Sequence, residues 1–165
     1  MWSNVIAVVG TLAGAALVMV SQYWTSQQTR AEEHRREVKE AAHQMLVAVL
    51  TYRELYWLWI AGVRAGQPEA SADRAARYRA RSAVTNARDL IALATTDSAL
   101  IAAAEEATWA AVELADVDTG PADQDGRFAE DIEAALSAGR ERARAAHTAL
   151  RRAGAAYVHR RPRTP

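Results

Sequence analysis

A chain of 165 residues without one cysteine has neither a disulfide frame nor a thiolate site, and 20 Lys and Arg against 20 Asp and Glu leave no net charge to draw in a polyanion. Alanine is the commonest residue, Phe occurs once and proline four times, a composition that suits closely packed helices with thin cores. Beyond the first 24 residues about 140 remain, enough for one modest domain and too few for two.

Residues 2–24, WSNVIAVVGTLAGAALVMVSQYW, carry no charge, and the first ionisable side chain of the chain is Arg30. Residues 3–23 would form a helix roughly 31 Å long, against a hydrocarbon core of about 30 Å. Trp2 at one end and Tyr23 and Trp24 at the other stand where amphipathic rings prefer the headgroup boundary. A cleaved secretory signal would have a basic start and a small-residue cleavage site, and a buried core helix would have a polar edge; this stretch has neither. It reads as a retained transmembrane anchor. Arg30, Arg35, Arg36 and Lys39 follow it, so the positive-inside rule puts the N-terminus outside and the bulk of the chain in the cytoplasm, with the bacterial inner membrane as location. Ala7, Gly10 and Gly14 form a small-residue line that either packs against a partner helix or faces lipid.

From residue 15 to residue 61 there is neither Gly nor Pro. Val38, Ala42, Met45, Val49, Tyr52, Tyr56, Trp59 and Val63 recur at spacings of four and three, a coiled-coil or bundle seam. The same register carried backwards meets the small residues of the anchor. Thr29-Arg30-Ala31-Glu32 fits a capping box, so the anchor either continues into this stalk helix or is followed by a new one. Gly62, Gly66 and Pro68 end the element.

A second helix resumes from Glu69, with Ala76, Ala80, Ala83, Ala87, Leu90 and Ala94 as its apolar line and Val84 and Ile91 beside it. Asp97 or Thr96 caps a third helix that runs to about Ala115, with Ile101, Ala104, Thr108 and Ala111 in register. Residues 116–126 form a loop. The last helix starts near Arg127, turns Phe128, Ile132, Leu136, Gly139, Ala146 and Leu150 to the core and stops at Gly154, leaving residues 155–165 as a basic disordered tail. The domain scheme is therefore anchor 1–24, stalk or first bundle helix 25–64, bundle 65–154 and tail 155–165.

Charge is segmented along this scheme. Residues 64–88 carry six Arg against Glu69 and Asp73, residues 97–133 eleven acids against Arg127, and residues 140–165 eight Arg against Glu141. Arg74, Arg77, Arg81 and Arg88 share one helical face. Either this face pairs with the acidic third helix, or it meets phosphates of nucleic acid or of the anionic inner leaflet.

Chemistry is scarce. Glu40 and His43 match half of a di-metal carboxylate motif whose other ligands are missing. Asp116, Asp118, Asp123 and Asp125 fail the EF-hand spacing, which meets Gly120 and Pro121 at its fifth and sixth positions. No phosphate-binding glycine loop, zinc-protease motif or nucleophile elbow occurs, so neither enzyme activity nor a cofactor nor a metal site is expected.

The opening Met1-Trp2-Ser3-Asn4-Val5-Ile6-Ala7-Val8-Val9-Gly10-Thr11-Leu12-Ala13-Gly14, an Arg- and Glu-rich stalk, then Leu50-Thr51-Tyr52-Arg53-Glu54-Leu55-Tyr56-Trp57 resemble the small KilB-type membrane proteins of actinomycete conjugative plasmids and integrated elements. The resemblance lies mainly in residues 1–60, and the acidic third helix and basic tail have no counterpart in it. It implies a membrane-associated role in plasmid transfer or intermycelial spread through contact with other transfer components. Nineteen Arg to one Lys agrees with a GC-rich bacterial gene.

The sequence thus describes an all-α protein: a single N-terminal transmembrane helix continuing into or followed by a long stalk helix, then a hairpin or bundle of three further helices. The expected role is that of a membrane-anchored interaction protein whose partners are the lipid bilayer and a second copy or another membrane protein. The segment 52–59 and the second helix are its candidate surfaces. The Arg-rich segments are candidates for anionic lipid. A holin-like membrane-perturbing protein and a membrane-tethered nucleic-acid binder are the alternatives, the latter disfavoured by the charge balance.

Overall fold

The computed structural model describes the backbone of residues 2–160 and the side chains of residues 26, 27 and 29–160. Among the described residues there are four helices and no strand: α1 (Trp2–Arg64), α2 (Ser71–Ala94), α3 (Ser98–Ala115) and α4 (Glu130–His159). The all-α expectation holds, and α1 has no interruption at Thr29. The chain consists of two compact units, Met1–Glu37 and Val38–Pro165. In the first, His34 Nδ1 stands 4.0 Å from Glu37 Oε2 one turn on. The anchor positions Trp2, Ala7, Gly10, Gly14, Tyr23 and Trp24 have side chains outside the described residues.

The second unit is an antiparallel four-helix bundle. Three cross-helix contacts fix its direction. Arg64 at the end of α1 reaches Glu133 at the start of α4 at 2.7 Å, Gly154 late in α4 lies against Ala42, near Val38 where the second unit begins, and Arg160 after α4 reaches Asp97 before α3 at 2.8 Å. Helix α3 packs on both α2 and α4.

In α1 the residues Val38, Ala42, Met45, Val49, Tyr52 and Tyr56 are buried at the expected spacing. The next core position is Ile60, while Trp59 and Val63 are only half-buried. The shift has a geometric cause. A straight helix of 3.6 residues per turn drifts about 20° per heptad from a 3.5-residue repeat, so about three heptads after Val38 the inward position has moved one residue along. The helix ends in a Schellman motif: Gly66 N–H donates to Val63 O at 3.0 Å and Gln67 N–H to Gly62 O at 2.9 Å, with Gly66 at φ 65°.

The α2 core is Ala80, Val84, Ala87 and Ile91. Ala83 and Leu90, expected on the apolar line, face solvent, and the branched residues beside that line take their place. A helix with several alanines offers more than one plausible stripe, and burial favours the one with the larger side chains. Helix α3 buries Leu100, Ala104, Ala107, Thr108, Ala111 and Leu114 among others. Its cap is Asp97, whose Oδ1 accepts from Leu100 N–H at 2.9 Å. That hydrogen bond, aided by Arg160, outweighs burial and holds the Asp97 carboxyl below its ordinary range.

Helix α4 begins at Glu130 rather than near Arg127 and runs to His159, five residues past the expected stop at Gly154. Residues 155–159 of the expected tail are thus helical; residues 161–165 lie outside the described residues. Gly154 is buried inside the helix, where a Cβ would sit 3.6 Å from Ala42 Cβ, an ordinary contact. Gly154→Ala is therefore expected to stabilise the bundle by about 1 kcal/mol in chemical denaturation, through higher helix propensity at no steric cost. Leucine at the same place would push α4 off α1 and lower stability.

By length and composition Thr29–Arg64 would itself pass for a membrane span, with a mean hydropathy of 1.2 over its best window. One side of this segment, with Met45, Val49, Tyr52, Tyr56 and Ile60, is covered by the bundle.

Candidate interaction site

The four arginines of the α2 face all have acidic partners within the bundle. Arg74 Nε and Arg77 Nη2 each approach Glu69 at 2.9 Å, Arg81 meets Asp116 at 3.4 Å and Arg88 meets its neighbour Asp89 at 2.7 Å. Burial raises the Glu69 pKa, but the hydrogen bonds from Arg74 and Arg77 outweigh it and leave the carboxyl below its usual range. Arg77 also lies 4.6 Å from the centre of the Trp59 ring. These partners come from the α1–α2 turn, the end of α3 and α2 itself. The acids in the body of α3 are used differently: Glu106 and Glu113 both bond Arg142 of α4, the former at 2.9 Å. Charge complementarity therefore joins α3 to α4 more than α3 to α2.

The segment 52–59 is divided by the helix into inside and outside. Tyr52 and Tyr56 are core residues, so they offer a partner nothing. The outer side of α1 instead presents Val47, Leu50 and Leu58, 48%, 55% and 63% exposed, interrupted by the exposed Glu54. On α2, Tyr78, Leu90 and Leu93 are exposed, the last at 85%. Apolar side chains sharing one exposed helix face make this side of α1 a candidate for covering by another molecule.

Among the described residues, open cavities lie along the seam between α1 and α4. One of about 450 Å³ is walled by Trp57, Ile60, Arg64, Glu133, Leu136 and Arg140; one of about 220 Å³ lies near Lys39, Leu46, Arg151 and Val158. Arg140 covers the Trp57 ring at 4.1 Å. Midway along the seam Arg53 of α1 faces α4. Burial lowers its pKa below the ordinary arginine value, and Arg144 and Arg140 lower it further. His147 is likewise lowered, first by burial and then by Arg53 and Arg151. Sequence reasoning missed this set. Arg140, Arg144, His147 and Arg151 recur at spacings of four and three on α4, the same signal that drew notice on α2, but the partner from α1 is not visible in a linear pattern.

Among the described residues no group of three or more His, Asp or Glu could share a metal ion. In the acidic loop, Asp123 Oδ1 accepts from the Asp125 and Arg127 amides at 2.9 and 2.8 Å, and Asp118 from the Gly120 amide at 3.3 Å. These carboxylates organise turns.

No curated protein and no solved structure matches the chain. A family model does, the KilB plasmid transfer protein, over residues 39–158. The match includes residues 50–57 of the earlier resemblance but starts after the anchor, and it takes in the acidic third helix, for which the resemblance had no counterpart. Since the matched residues make up most of the chain and nearly the whole bundle, the protein belongs to the KilB plasmid transfer protein family.

Proposed function

We propose that this chain is a single-pass, membrane-anchored and non-enzymatic interaction protein of conjugative plasmid transfer. Residues 2–24 hold it in the bacterial inner membrane with the bundle on the cytoplasmic side, and the outer face of α1 docks a second copy or another membrane protein of the transfer machinery. The family supports the process. The observation that carries the docking role is the exposed row Val47, Leu50 and Leu58 on the helix that also bears the anchor sequence. A helix tethered at one end restricts a partner to the same membrane, which raises its effective concentration.

Deleting the gene is expected to reduce plasmid transfer in a mating assay while leaving plasmid copy number unchanged. The full chain should restore transfer, and a chain lacking residues 2–24 should not. The absence of native cysteine makes site-directed crosslinking clean. A single cysteine at Leu50 or Leu58 in intact membranes should give a crosslinked species, and one at Leu100 in the core should give none. Normal transfer by the anchorless chain would defeat the membrane role.

A further inference from the structure

The exposed apolar row of α1 borders a groove between α1 and α2. Open depressions lie along it: one of about 420 Å³ lined by His43, Val47, Thr51, Ala80 and Ala83, and one of about 230 Å³ lined by Leu55, Leu58, Gly62, Pro68 and Asp73. Val47 belongs to the first and Leu58 to the second. These residues are eleven positions apart, about 16 Å along the helix and close to three full turns. A helix laid along the groove repeats at the same interval, so its side chains at i and i+11 reach both depressions and those at i+4 and i+7 pass over Leu50 and Glu54.

The charges of this groove leave one sign over. Glu40, Glu54 and Asp73 are exposed, and among the described residues none of them makes an ion pair. Glu40 accepts only from the neutral amide of Gln44, at 3.1 Å. Arg77, which lines the second depression, is taken up by Glu69 at 2.9 Å. A two-fold dimer through this face would set the same patch of both copies together, and the acids of each would meet acids of the other. A basic helix meets no such repulsion.

We infer that the α1–α2 groove binds a basic amphipathic helix of another protein, whose apolar stripe fills the two depressions and whose Lys or Arg side chains reach Glu40, Glu54 and Asp73. The inference rests on the docking role proposed above for the outer face of α1 and names its occupant. Apolar anchors supply the affinity, while the acids select the partner and speed the encounter. The same acids work against an acidic helix or a second copy.

The test uses the full chain in neutral phosphatidylcholine nanodiscs and a fluorescent model peptide of about five helical turns. The peptide has leucines at i, i+4, i+7 and i+11 with lysines beside them; a companion has glutamates in place of the lysines. Anisotropy should show saturable binding of the lysine peptide that weakens with salt, and no binding of the companion. Glu54→Gln with Asp73→Asn should weaken binding by about three- to tenfold, the loss expected for two exposed ion pairs. Leu58→Ser should weaken it by about tenfold or more, and helicity should stay at the parent level in both variants. Glu105→Gln with Glu130→Gln removes the same charge from exposed positions elsewhere and should leave binding intact. Leu58→Cys should crosslink to a cysteine-bearing lysine peptide and Leu93→Cys should not. No binding of the lysine peptide, equal binding of both peptides, or an equal loss in both double charge variants would overturn the inference. In native membranes, a Leu58→Cys chain that crosslinks only to a second copy would overturn it and leave the docking role standing, whereas no crosslinked species would defeat both.

Discussion

Tyr56→Ala is expected to destabilise the bundle by about 3 to 5 kcal/mol, the range for truncating a large buried aromatic. Its ring is 1% exposed and sits between Trp57 and Trp59, with centroids 5.6 and 5.5 Å away, so the loss is of packing as well as of buried area. Tyr56→Phe is expected to act in the opposite direction. The hydroxyl is buried with no partner, and removing it should stabilise by about 1 kcal/mol. Burial also pushes the phenol pKa from the ordinary 10.0 up to about 12. The folded state therefore keeps the neutral form more firmly than the unfolded state. The resulting stabilisation is complete below the unfolded value and disappears as pH rises through the window up to the folded one. Tyr52 is raised for the same leading reason, so Tyr56→Phe should remove part of the alkaline loss of stability and leave the share of Tyr52. Equilibrium denaturation at a series of alkaline pH values, for parent and both variants, checks all three statements. A Tyr56→Phe variant less stable than the parent would mean that the hydroxyl has a partner.

Gly126→Ala is the second large effect. Two costs coincide there and are separable. Gly126 has φ 73°, a left-handed conformation that costs an L side chain about 1 to 2 kcal/mol, and a Cβ built on it would lie 2.9 Å from the carbonyl oxygen of Arg64. The second obstacle is backbone, which cannot rotate aside, so overpacking adds about 1 to 3 kcal/mol. Gly66 has a similar φ of 65° with nothing within 4 Å, and Gly66→Ala should show the conformational cost alone. The difference in denaturation midpoint between the two variants therefore measures the contact of the α3–α4 loop with the end of α1. Equal costs would mean that the loop stands off that helix end.

The same contrast between local and distant causes separates the two arginine-rich faces. The α2 arginines were legible as a basic face because they recur at helical spacing, but spacing carries no information about which carboxylates approach them. Glu69, Asp116 and Asp89 were brought near by the turn, the neighbouring helix end and the chain itself. The seam around His147 has an equally regular spacing on α4, and its meaning depends on Arg53, which is about ninety residues away in sequence and belongs to a different helix.

Whatever depends on neighbours within one or two turns was determined by the residues alone. That includes the four helical segments, the 38–56 seam, a cap at Thr96 or Asp97 and the turn after Arg64, because periodicity, capping and glycine at positive φ act within a few residues. Whatever depends on how helices meet was decided only by the packed bundle. Ile60 replaces Trp59 because a 3.6-residue turn drifts from a 3.5-residue repeat, Val84 and Ile91 replace Ala83 and Leu90 because a larger side chain buries more area, and α4 continues through Gly154 because a small residue there lets it lie against Ala42.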